Sequence, residues 1–172
     1  MGITFGELTN DSVGPISFAA GDNGLLRVNF SPLVEFKEQP GFNESAPSLT
    51  GLEVIGSLLA EMNEFLYGIR KNFSVMIDWD SIPQFQRDVL KITASIPYGG
   101  WKTYGEIAAQ LGKPGAARAV GGALGSNPMP IVIPCHRVLG ADRMLHGYLN
   151  GLETKAFLLS LEGHQVADNR LV

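Results

Sequence analysis

The stretch TYGEIAAQLGKPGAARAVGGALGSN, residues 103–127, predicts two short helices separated by the sequence KPG. Thr103 and Glu106 have the spacing of a capping box, and Pro114 suits the first turn of a helix. Two short helices around a tight turn are typical of the helix-turn-helix, which places its second helix in a groove of nucleic acid. A helix pair that only packs against the core is the alternative interpretation.

The second predicted helix consists mostly of glycine and alanine, with Arg118 as its single long charged side chain. A glycine inside a helix costs about 1 kcal/mol relative to alanine, so the adjacent Gly121 and Gly122 need a reason. Close approach of another backbone would supply one. On a smooth helix that lies in a groove, Arg118 is well placed to probe the base stack. A solvated surface arginine is the alternative.

Downstream of these helices, the stretch PIVIPCHRV at residues 130–138 contains the only cysteine of the chain. Residues 131–133 predict a short buried strand, and a proline ends it, so that Cys135 lies at a strand terminus. A lone cysteine is often an inert small hydrophobe. Here the neighbouring His136 and Arg137 can favour the thiolate, which is the reactive form. We therefore interpret Cys135 as a candidate nucleophile.

A cysteine nucleophile needs a base, and the base needs a carboxylate that orients it. His136 is the candidate base. Adjacent side chains on a strand point to opposite faces, so the proline break or a bridging water must bring His136 to Cys135. Glu162 is the candidate carboxylate, because Gly163 ends the helix that begins near Leu152. A solvated residue at a helix end is the alternative for Glu162.

The chain divides into two parts near Ser81. In residues 1–81, three apolar runs separated by turn signals predict strands, a segment rich in Pro, Gly, Ser and Asn predicts a loop, and helical spacing of apolar residues starts at Gly51. Residues 71–79 alternate as a strand does. For residues 82–172, the sequence DSIP predicts a cap in front of the helix QFQRDVLKITASI. The three predicted strands are ITFGELT, PISFAAG and LLRVNF, and the predicted loop is SPLVEFKEQPGFNESAPS at residues 31–48.

Charge is distributed unevenly between the two parts. Residues 1–81 carry four Lys and Arg against eleven Asp and Glu, whereas residues 82–172 carry nine against six, within a chain of net charge −4. This asymmetry favours contact of the second part alone with a polyanion. Chance scatter of surface charge is the alternative.

Composition also excludes several classes of protein. No run approaches the roughly 18 apolar residues of a membrane span, and no basic segment precedes an apolar one at the start, so we expect neither a membrane anchor nor a signal peptide. One cysteine excludes an intramolecular disulfide, and we expect a reduced, cytoplasmic setting. The three histidines show no metal-ligand spacing, so we expect no metal.

In the second part, IPYGGWKTYGEIAAQLGKPGAARAVGGALGSNPMPIVIPCHRV followed by GYLNGLETKAFLLSLEG closely resembles the O6-alkylguanine-DNA alkyltransferases. The arrangement of PCHRV downstream of ARAVG and NP is highly specific to that family. The first part fits the family's N-terminal domain in length and order of elements. The resemblance implies an α/β protein in which a ribonuclease-H-like α/β domain (1–81) precedes a mainly helical domain (82–172). The second domain would carry a winged-helix-like helix-turn-helix and the active site.

The resemblance implies a role for each residue that matches the family's motifs. Cys135 resembles the alkyl acceptor. His136, acting through a water, and Glu162 resemble the relay that generates its thiolate. Asn127 is similar to the asparagine that holds the turn before the active site, and Tyr104 to the tyrosine whose phenol assists the departing base. Further positions are implied at the DNA surface (Arg118, Ala117, Thr103 and Arg137, with Arg118 as the finger that replaces the extruded nucleotide) and at the substrate pocket (Tyr148, Leu149, Val138 and Pro130).

The reaction that the resemblance implies is DNA repair. An alkyl group passes from O6 of guanine, and also from O4 of thymine, in double-stranded DNA to the cysteine after the nucleotide is flipped out. The thioether product is not reversed, so each molecule acts once, as a monomer and without a cofactor. One departure lies at Leu149 and Asn150, which replace small residues in the family's pocket loop and bear on the size of the alkyl group accepted.

Two other functions are alternatives. A non-catalytic lesion sensor or helix-turn-helix regulator could use the same scaffold, but relatives that sense without repairing have lost the cysteine. This chain keeps Cys135 together with His136 and Glu162. A cysteine hydrolase would need an oxyanion hole and an acyl pocket, and the sequence contains no motif for either.

Overall fold

The computed structural model describes residues 2–42 and 46–172, and it shows a mixed α/β protein. The chain folds into two compact units, Met1–Ser81 and Ile82–Val172. Each unit buries its own set of apolar side chains. No helix in the described part of the chain has both the length and the apolar character needed to cross a membrane.

The first unit is built on a three-stranded antiparallel meander with the order β1-β2-β3. Its strands are β1 (Thr4–Asn10), β2 (Gly14–Gly21) and β3 (Gly24–Asn29). The central strand β2 is the most deeply buried, in agreement with its apolar run. The turns on either side of β2 require glycine, because Gly14 has a φ of +80° and Gly24 a φ of +125°. The three strands predicted from the sequence are confirmed.

Two helices follow the meander, α1 (Leu33–Lys37) and α2 (Leu49–Leu66). The predicted helix corresponds to α2 and is confirmed. It begins at Leu49, slightly before Gly51, because the side chain of Ser48 caps it by accepting a hydrogen bond from the Gly51 amide.

The loop predicted over residues 31–48 is wrong where α1 forms. Phe36 is fully buried and packs edge-on against Phe5, with ring centroids 6.3 Å apart. Burial of this one aromatic side chain stabilises a short helix, whereas the Pro and Gly content of the segment predicted only a loop. Residues 43–45 of the predicted loop lie outside the described residues.

The strand predicted over residues 71–79 does not form as a strand. Among the described residues, one isolated parallel bridge, between Leu25 and Ile77, joins this segment to the sheet. The amide of Ser74 instead donates to the carboxylate of Glu61 at 2.8 Å. The backbone at that point is satisfied by a side chain rather than by a neighbouring strand, so the alternating pattern does not lead to regular pairing.

Helices predominate in the second unit. The helices are α3 (Gln84–Ala94), α4 (Tyr104–Gln110), α5 (Ala117–Gly125) and α6 (Gly151–Leu161). The strands have two residues each and are β4 (Lys102–Thr103), β5 (Val138–Leu139), β6 (Val166–Ala167) and β7 (Arg170–Leu171). β4 pairs in parallel with β5, and β6 pairs with β7 as a hairpin. The first pairing ties the start of α4 to the segment that follows Cys135.

The helix starts agree with the sequence only in part. The capping box is confirmed, since the Thr103 hydroxyl accepts from the Glu106 amide and the Glu106 carboxylate accepts from the Thr103 amide. The cap predicted from DSIP is wrong, because Pro83 occupies the N-cap of α3 and no side chain caps that end. The expectation for Pro114 is also wrong. α5 begins at Ala117, so Pro114 lies in the preceding turn.

The strand predicted over residues 131–133 is replaced by a tight turn. Asn127 organises this turn, because its side-chain oxygen accepts from the Met129 amide at 3.0 Å and its side-chain nitrogen donates to the Ile133 carbonyl at 2.9 Å. Ile131 adopts a φ of +71°, which is rare for a β-branched residue. The hydrogen bonds of one asparagine therefore override the β-preference of the neighbouring residues.

Candidate active site

Cys135 opens a 3₁₀ turn over Cys135–Arg137, just after the turn that Asn127 organises. The residue is buried, with 8% of its surface exposed, and the Asn127 side-chain nitrogen donates to Sγ at 3.2 Å. Burial raises the pKa of the Cys135 thiol, while the Asn127 hydrogen bond and the charge of Lys155 act to lower it. The thiol is therefore neutral at rest and becomes the reactive thiolate when a base removes its proton.

His136 and Glu162 form a buried hydrogen-bonded pair in which Nε2 of His136 lies 2.8 Å from Oε1 of Glu162. A carboxylate only accepts hydrogen bonds, so Nε2 carries the proton and Nδ1 keeps its basic lone pair. No polar group of the described residues pairs with Nδ1. Burial lowers the pKa of His136 and outweighs the opposing influence of Glu162. The imidazole is therefore neutral and able to act as a base.

The structure corrects the prediction that Arg137 contacts DNA. Its guanidinium is buried against Glu162, with Nε at 3.0 Å and Nη2 at 2.8 Å from Oε1, and Nη1 donates to the Ile96 carbonyl. Burial would raise the pKa of Glu162, but the hydrogen bonds from His136 and Arg137, together with the charge of Arg137, outweigh it and lower that pKa to about 2. Arg137 thus keeps Glu162 ionised and is not available to phosphate groups.

Lys155, on α6, is a buried cation that sequence reasoning missed. Its Nζ donates to the carbonyl of Val138 at 2.8 Å and to that of His146 at 3.1 Å. Burial lowers the pKa of Lys155 to about 8. The sequence did contain a signal, because Lys155 follows Leu152 by three residues and precedes Leu159 by four, which places it on the apolar face of the helix.

A cavity of about 730 Å³ opens beside Cys135. Its walls come from the start of α4, from α5, from the Asn127 turn and from the loop before α6. This volume lies within the range of small-molecule sites, roughly 300–1,000 Å³. The lining residues are Tyr104, Ala117, Arg118, Gly121, Leu124, Gly125, Asn127, Pro130, Cys135, His146, Gly147, Tyr148 and Leu149.

Two tyrosines line this cavity. The ring of Tyr104 lies 6.2 Å from that of His146. Burial raises the pKa of Tyr104, and a negative charge on Cys135, once it is a thiolate, raises it further. The ring of Tyr148 stands edge-on to that of His136 at 6.5 Å, and burial raises the pKa of Tyr148 well above its usual value. Both phenols are therefore neutral and can donate a hydrogen bond to a bound group.

α5 presents a smooth surface at the mouth of the cavity, where Arg118 is exposed and Ala117 is half-buried. The close backbone that the sequence predicts near the adjacent glycines is not found among the described residues. A Cβ at Gly121 would meet the Tyr104 ring at 3.8 Å, and one at Gly122 would meet nothing within 4 Å. The adjacent glycines therefore do not make room for a neighbouring backbone among the described residues.

The remaining predicted residues differ in where they lie. Pro130 lines the cavity, and Leu149 lies at its rim with 57% of its surface exposed. The prediction that Val138 lines the pocket is corrected, because Val138 is fully buried in β5, is not among the lining residues, and binds Lys155 through its carbonyl. Thr103 uses its hydroxyl to cap α4.

The arrangement is suited to nucleophilic chemistry. A neutral thiol, an imidazole with a free nitrogen and a carboxylate that fixes the imidazole lie beside a cavity of ligand size. Over residues 2–42 and 46–172, no three His, Cys, Asp or Glu side chains are grouped so that they could hold a metal ion.

Comparison with known proteins identifies the family. Residues 84–164 match the family model described as 6-O-methylguanine DNA methyltransferase, DNA binding domain. The methylated-DNA–protein-cysteine methyltransferase of Mycobacterium bovis is 48% identical over 150 residues, which are 87% of each chain. That of Methanosarcina acetivorans is 39% identical over 154 residues, 88% of this chain and 93% of the relative. The chain belongs to the methylated-DNA–protein-cysteine methyltransferase family.

A solved structure agrees with membership of the methylated-DNA–protein-cysteine methyltransferase family. The crystal structure of Mycobacterium tuberculosis OGT in complex with DNA superposes with a TM-score of 0.75 at 36% identity, covering 92% of this chain and 91% of that chain. The resemblance found in the sequence and the mixed α/β fold are both confirmed.

Proposed function

We propose that this chain repairs DNA by transferring an alkyl group, in the simplest case methyl, from O6 of guanine to Cys135. The observation that carries the proposal is the cavity, which is lined both by Cys135 and by the exposed Arg118 of α5. Membership of the methyltransferase family supports the reaction. The M. tuberculosis OGT structure with DNA supports DNA as the partner.

The first step removes the proton of the Cys135 thiol. Nδ1 of His136 is the base, and a water carries the proton to it from Sγ. Glu162 accepts from Nε2 of His136 and stabilises the imidazolium that forms. The positive charge of Lys155 favours the thiolate and so assists the same step.

In the second step the thiolate attacks the alkyl carbon in line with the bond to O6. The sulfur–carbon bond forms as the carbon–oxygen bond breaks, and the bonding electrons of the broken bond move onto guanine. Guanine takes up one proton, which balances the proton that the thiol lost. The neutral phenol of Tyr104 donates a hydrogen bond to the departing base. The thioether that remains has no route back to a thiol, so each molecule acts once.

The alkylated nucleotide must leave the base stack before it can reach Cys135, and this costs a few kcal/mol. α4 and α5 form the winged-helix-like helix-turn-helix, and the flat surface of α5 lies in a groove of the duplex. Thr103 and Ala117 lie at the helix starts, where backbone amides can meet phosphate groups. Arg118 fills the gap that the extruded nucleotide leaves.

Arg118→Ala is expected to slow repair of alkylated duplex DNA by about 30-fold, equivalent to about 2 kcal/mol, if Arg118 offsets most of the cost of flipping. Reaction with free O6-benzylguanine should stay within about twofold of wild type, because a free base needs no flipping. Rates of alkylation of Cys135 on both substrates provide the measurement. Lys91→Ala, an exposed cation of α3, is the control for loss of positive charge. Equal losses on both substrates would show that Arg118 serves the chemistry or the fold.

Leu149→Gly is expected to raise the rate with a benzyl group relative to the rate with a methyl group. Leu149 lies at the cavity rim, where its branched side chain would crowd a benzyl group but not a methyl group. Overpacking typically costs about 1–3 kcal/mol, and each 1.36 kcal/mol changes the rate about tenfold. Both rates are measured in wild type, in Leu149→Gly and in Leu149→Ala, which separates size from backbone flexibility. An unchanged benzyl-to-methyl ratio in both variants would mean that the side chain points away from the pocket.

Intact-protein mass measurement tests the proposed function. The chain is incubated with duplex DNA that contains O6-methylguanine, and its mass is compared with that of chain incubated with unmodified duplex. We expect one methyl group per chain, mapped by peptide analysis to Cys135. Tight binding of the methylated duplex with no change in mass would instead indicate a lesion-binding or regulatory protein.

Finer assignments extend the same proposal. The first unit is a ribonuclease-H-like domain, which its antiparallel meander followed by α2 supports, and residues 82–172 are the DNA-binding and alkyl-acceptor domain. O4-alkylthymine is a second substrate, because it also offers an alkyl carbon on an exocyclic oxygen.

Thiol, base and carboxylate come from one chain, so we propose a monomer that works without a cofactor. The free thiol requires a reducing compartment, here the cytoplasm.

A further inference from the structure

The loop over residues 140–150 joins β5 to the start of α6, and residues 146–149 of it line the cavity. The earlier part of this loop is bonded to the β6–β7 hairpin. The Leu145 amide donates to the Asn169 carbonyl at 2.7 Å, and the Leu171 amide donates to the Arg143 carbonyl at 3.1 Å. Together these two bonds form an isolated antiparallel bridge between Met144 and Arg170.

The hairpin itself is encoded locally. β6 and β7 pair with Val166 opposite Leu171, and the turn between them is Asp168-Asn169, with φ of +49° and +57°. Positive φ at both central residues is the mark of a type I′ turn, which matches the twist of a two-stranded hairpin, and Asp and Asn tolerate it better than most residues. The hairpin therefore offers the loop a preformed edge.

Leu171 anchors the hairpin in the second unit. It is 5% exposed and belongs to an apolar cluster with Leu139, Leu145 and Leu159. Leu145 immediately precedes His146, the first loop residue that lines the cavity. Removing the side chain of Leu171 would therefore leave a gap directly beneath the point where the loop enters the pocket wall.

The same point of the loop is also held from α6, because Lys155 donates to the His146 carbonyl at 3.1 Å. Beyond His146, the Tyr148 ring stands edge-on to that of His136, and the Tyr148 carbonyl accepts from the Gly151 amide at 3.0 Å. A Cβ at Gly147 would meet no described atom within 4 Å, and Leu149 is largely exposed. The loop is therefore fixed at Leu145 and His146 by the hairpin and by α6, and Tyr148 keeps its own contacts further on.

We propose that the Val166–Leu171 hairpin is a positioning element for the substrate pocket. It fixes the loop at Leu145, so that Tyr148 and Leu149 remain at the cavity and hold the extruded base. This inference rests on the proposed function. The thiol, imidazole and carboxylate lie on other segments and have their own hydrogen bonds, so the hairpin acts on substrate binding and leaves the chemical step unchanged.

The test measures the rate of alkylation of Cys135 against the concentration of free O6-methylguanine, whose small alkyl group Leu149 does not obstruct. This yields a half-saturation concentration and a limiting rate. Leu171→Ala is expected to raise the half-saturation concentration about tenfold, equivalent to about 1.4 kcal/mol, with the limiting rate within about twofold of wild type. Leu171→Met, which nearly conserves volume, should restore tight binding. Val172→Ala is the matched control, because Val172 is 70% exposed.

Amide hydrogen exchange supplies a second readout that does not depend on the reaction. The Leu145 amide should exchange faster in Leu171→Ala than in Val172→Ala, because its acceptor belongs to the hairpin. If Leu171→Ala does not fold, Leu171→Val gives the same comparison at smaller amplitude. An unchanged half-saturation concentration, or a limiting rate that falls in its place, would overturn the inference. A wild-type chain that gains no alkyl group would instead refute the proposed function, and the exchange comparison would still decide whether the hairpin fixes the loop.

Discussion

Cys135→Ser is expected to abolish alkyl transfer while leaving affinity for methylated duplex DNA within about twofold of wild type. A serine hydroxyl is far less acidic than a thiol, so the His136 relay cannot produce a comparable nucleophile. The surface proposed to bind DNA lies on α5 and does not include the sulfur. Intact-protein mass after incubation with excess methylated duplex measures transfer, and a fluorescence-anisotropy titration measures affinity.

Two outcomes would contradict the role of Cys135. Stoichiometric methylation of the serine variant would place the acceptor at another residue. A large loss of DNA affinity would mean that the thiol also supports the DNA-binding surface, for example through its hydrogen bond from Asn127. Thermal unfolding of the variant shows whether the turn around residue 135 has stayed intact.

Glu162→Gln is expected to lower both stability and rate. The variant leaves the guanidinium of Arg137 buried without a compensating charge, and breaking a buried ion pair in this way costs about 3–5 kcal/mol of the free energy of unfolding. It also removes the carboxylate that orients His136, and acid–base assistance of this kind is worth about 10²–10⁴ in rate. Denaturant unfolding and the rate of Cys135 methylation, measured where the variant is folded, give the two quantities.

Glu153→Gln, on the exposed first turn of the same helix, is the control and should change stability by no more than about 0.5 kcal/mol. The pH dependence gives a separate check. The pKa of Glu162 is lowered to about 2 from an ordinary 4.5, so its contribution is complete above pH 4.5 and is lost as the pH falls toward 2. The stability gap between wild type and Glu162→Gln should therefore narrow over that range. A constant gap would mean that Glu162 is not the titrating group.

The features predicted correctly from the sequence are those that depend on residues close together in the chain. The capping box at Thr103 and Glu106 depends on two side chains one turn apart, and it formed as expected. The three strands of the first unit and the helix α2 follow apolar periodicity, and they too are confirmed. The motif around Cys135 was specific enough to indicate the family from sequence alone.

The misassigned residues depend on contacts between distant parts of the chain. Arg137 lies next to His136 in sequence and was expected at DNA, but its partner Glu162 is supplied by the end of α6 and draws it into the interior. Residues 131–133 have strand-forming side chains, yet Asn127 bonds their backbone into a turn. A short stretch of sequence does not show which distant side chains will bind its residues. It therefore cannot predict that such a contact replaces the expected one.

The burial of the Cys135 sulfur also bears on how long an unused molecule lasts. Each chain can accept one alkyl group, so a thiol lost to a peroxide or a disulfide would be a repair event that never takes place. Oxidants and disulfides attack the thiolate at accessible cysteines. Cys135 is buried, with 8% of the residue exposed, and burial raises the pKa of its thiol. Such reagents therefore find neither an accessible sulfur nor a resting thiolate. Burial makes the thiol dependent on His136 for its deprotonation. The same burial protects the thiol from oxidation until a flipped base enters the cavity.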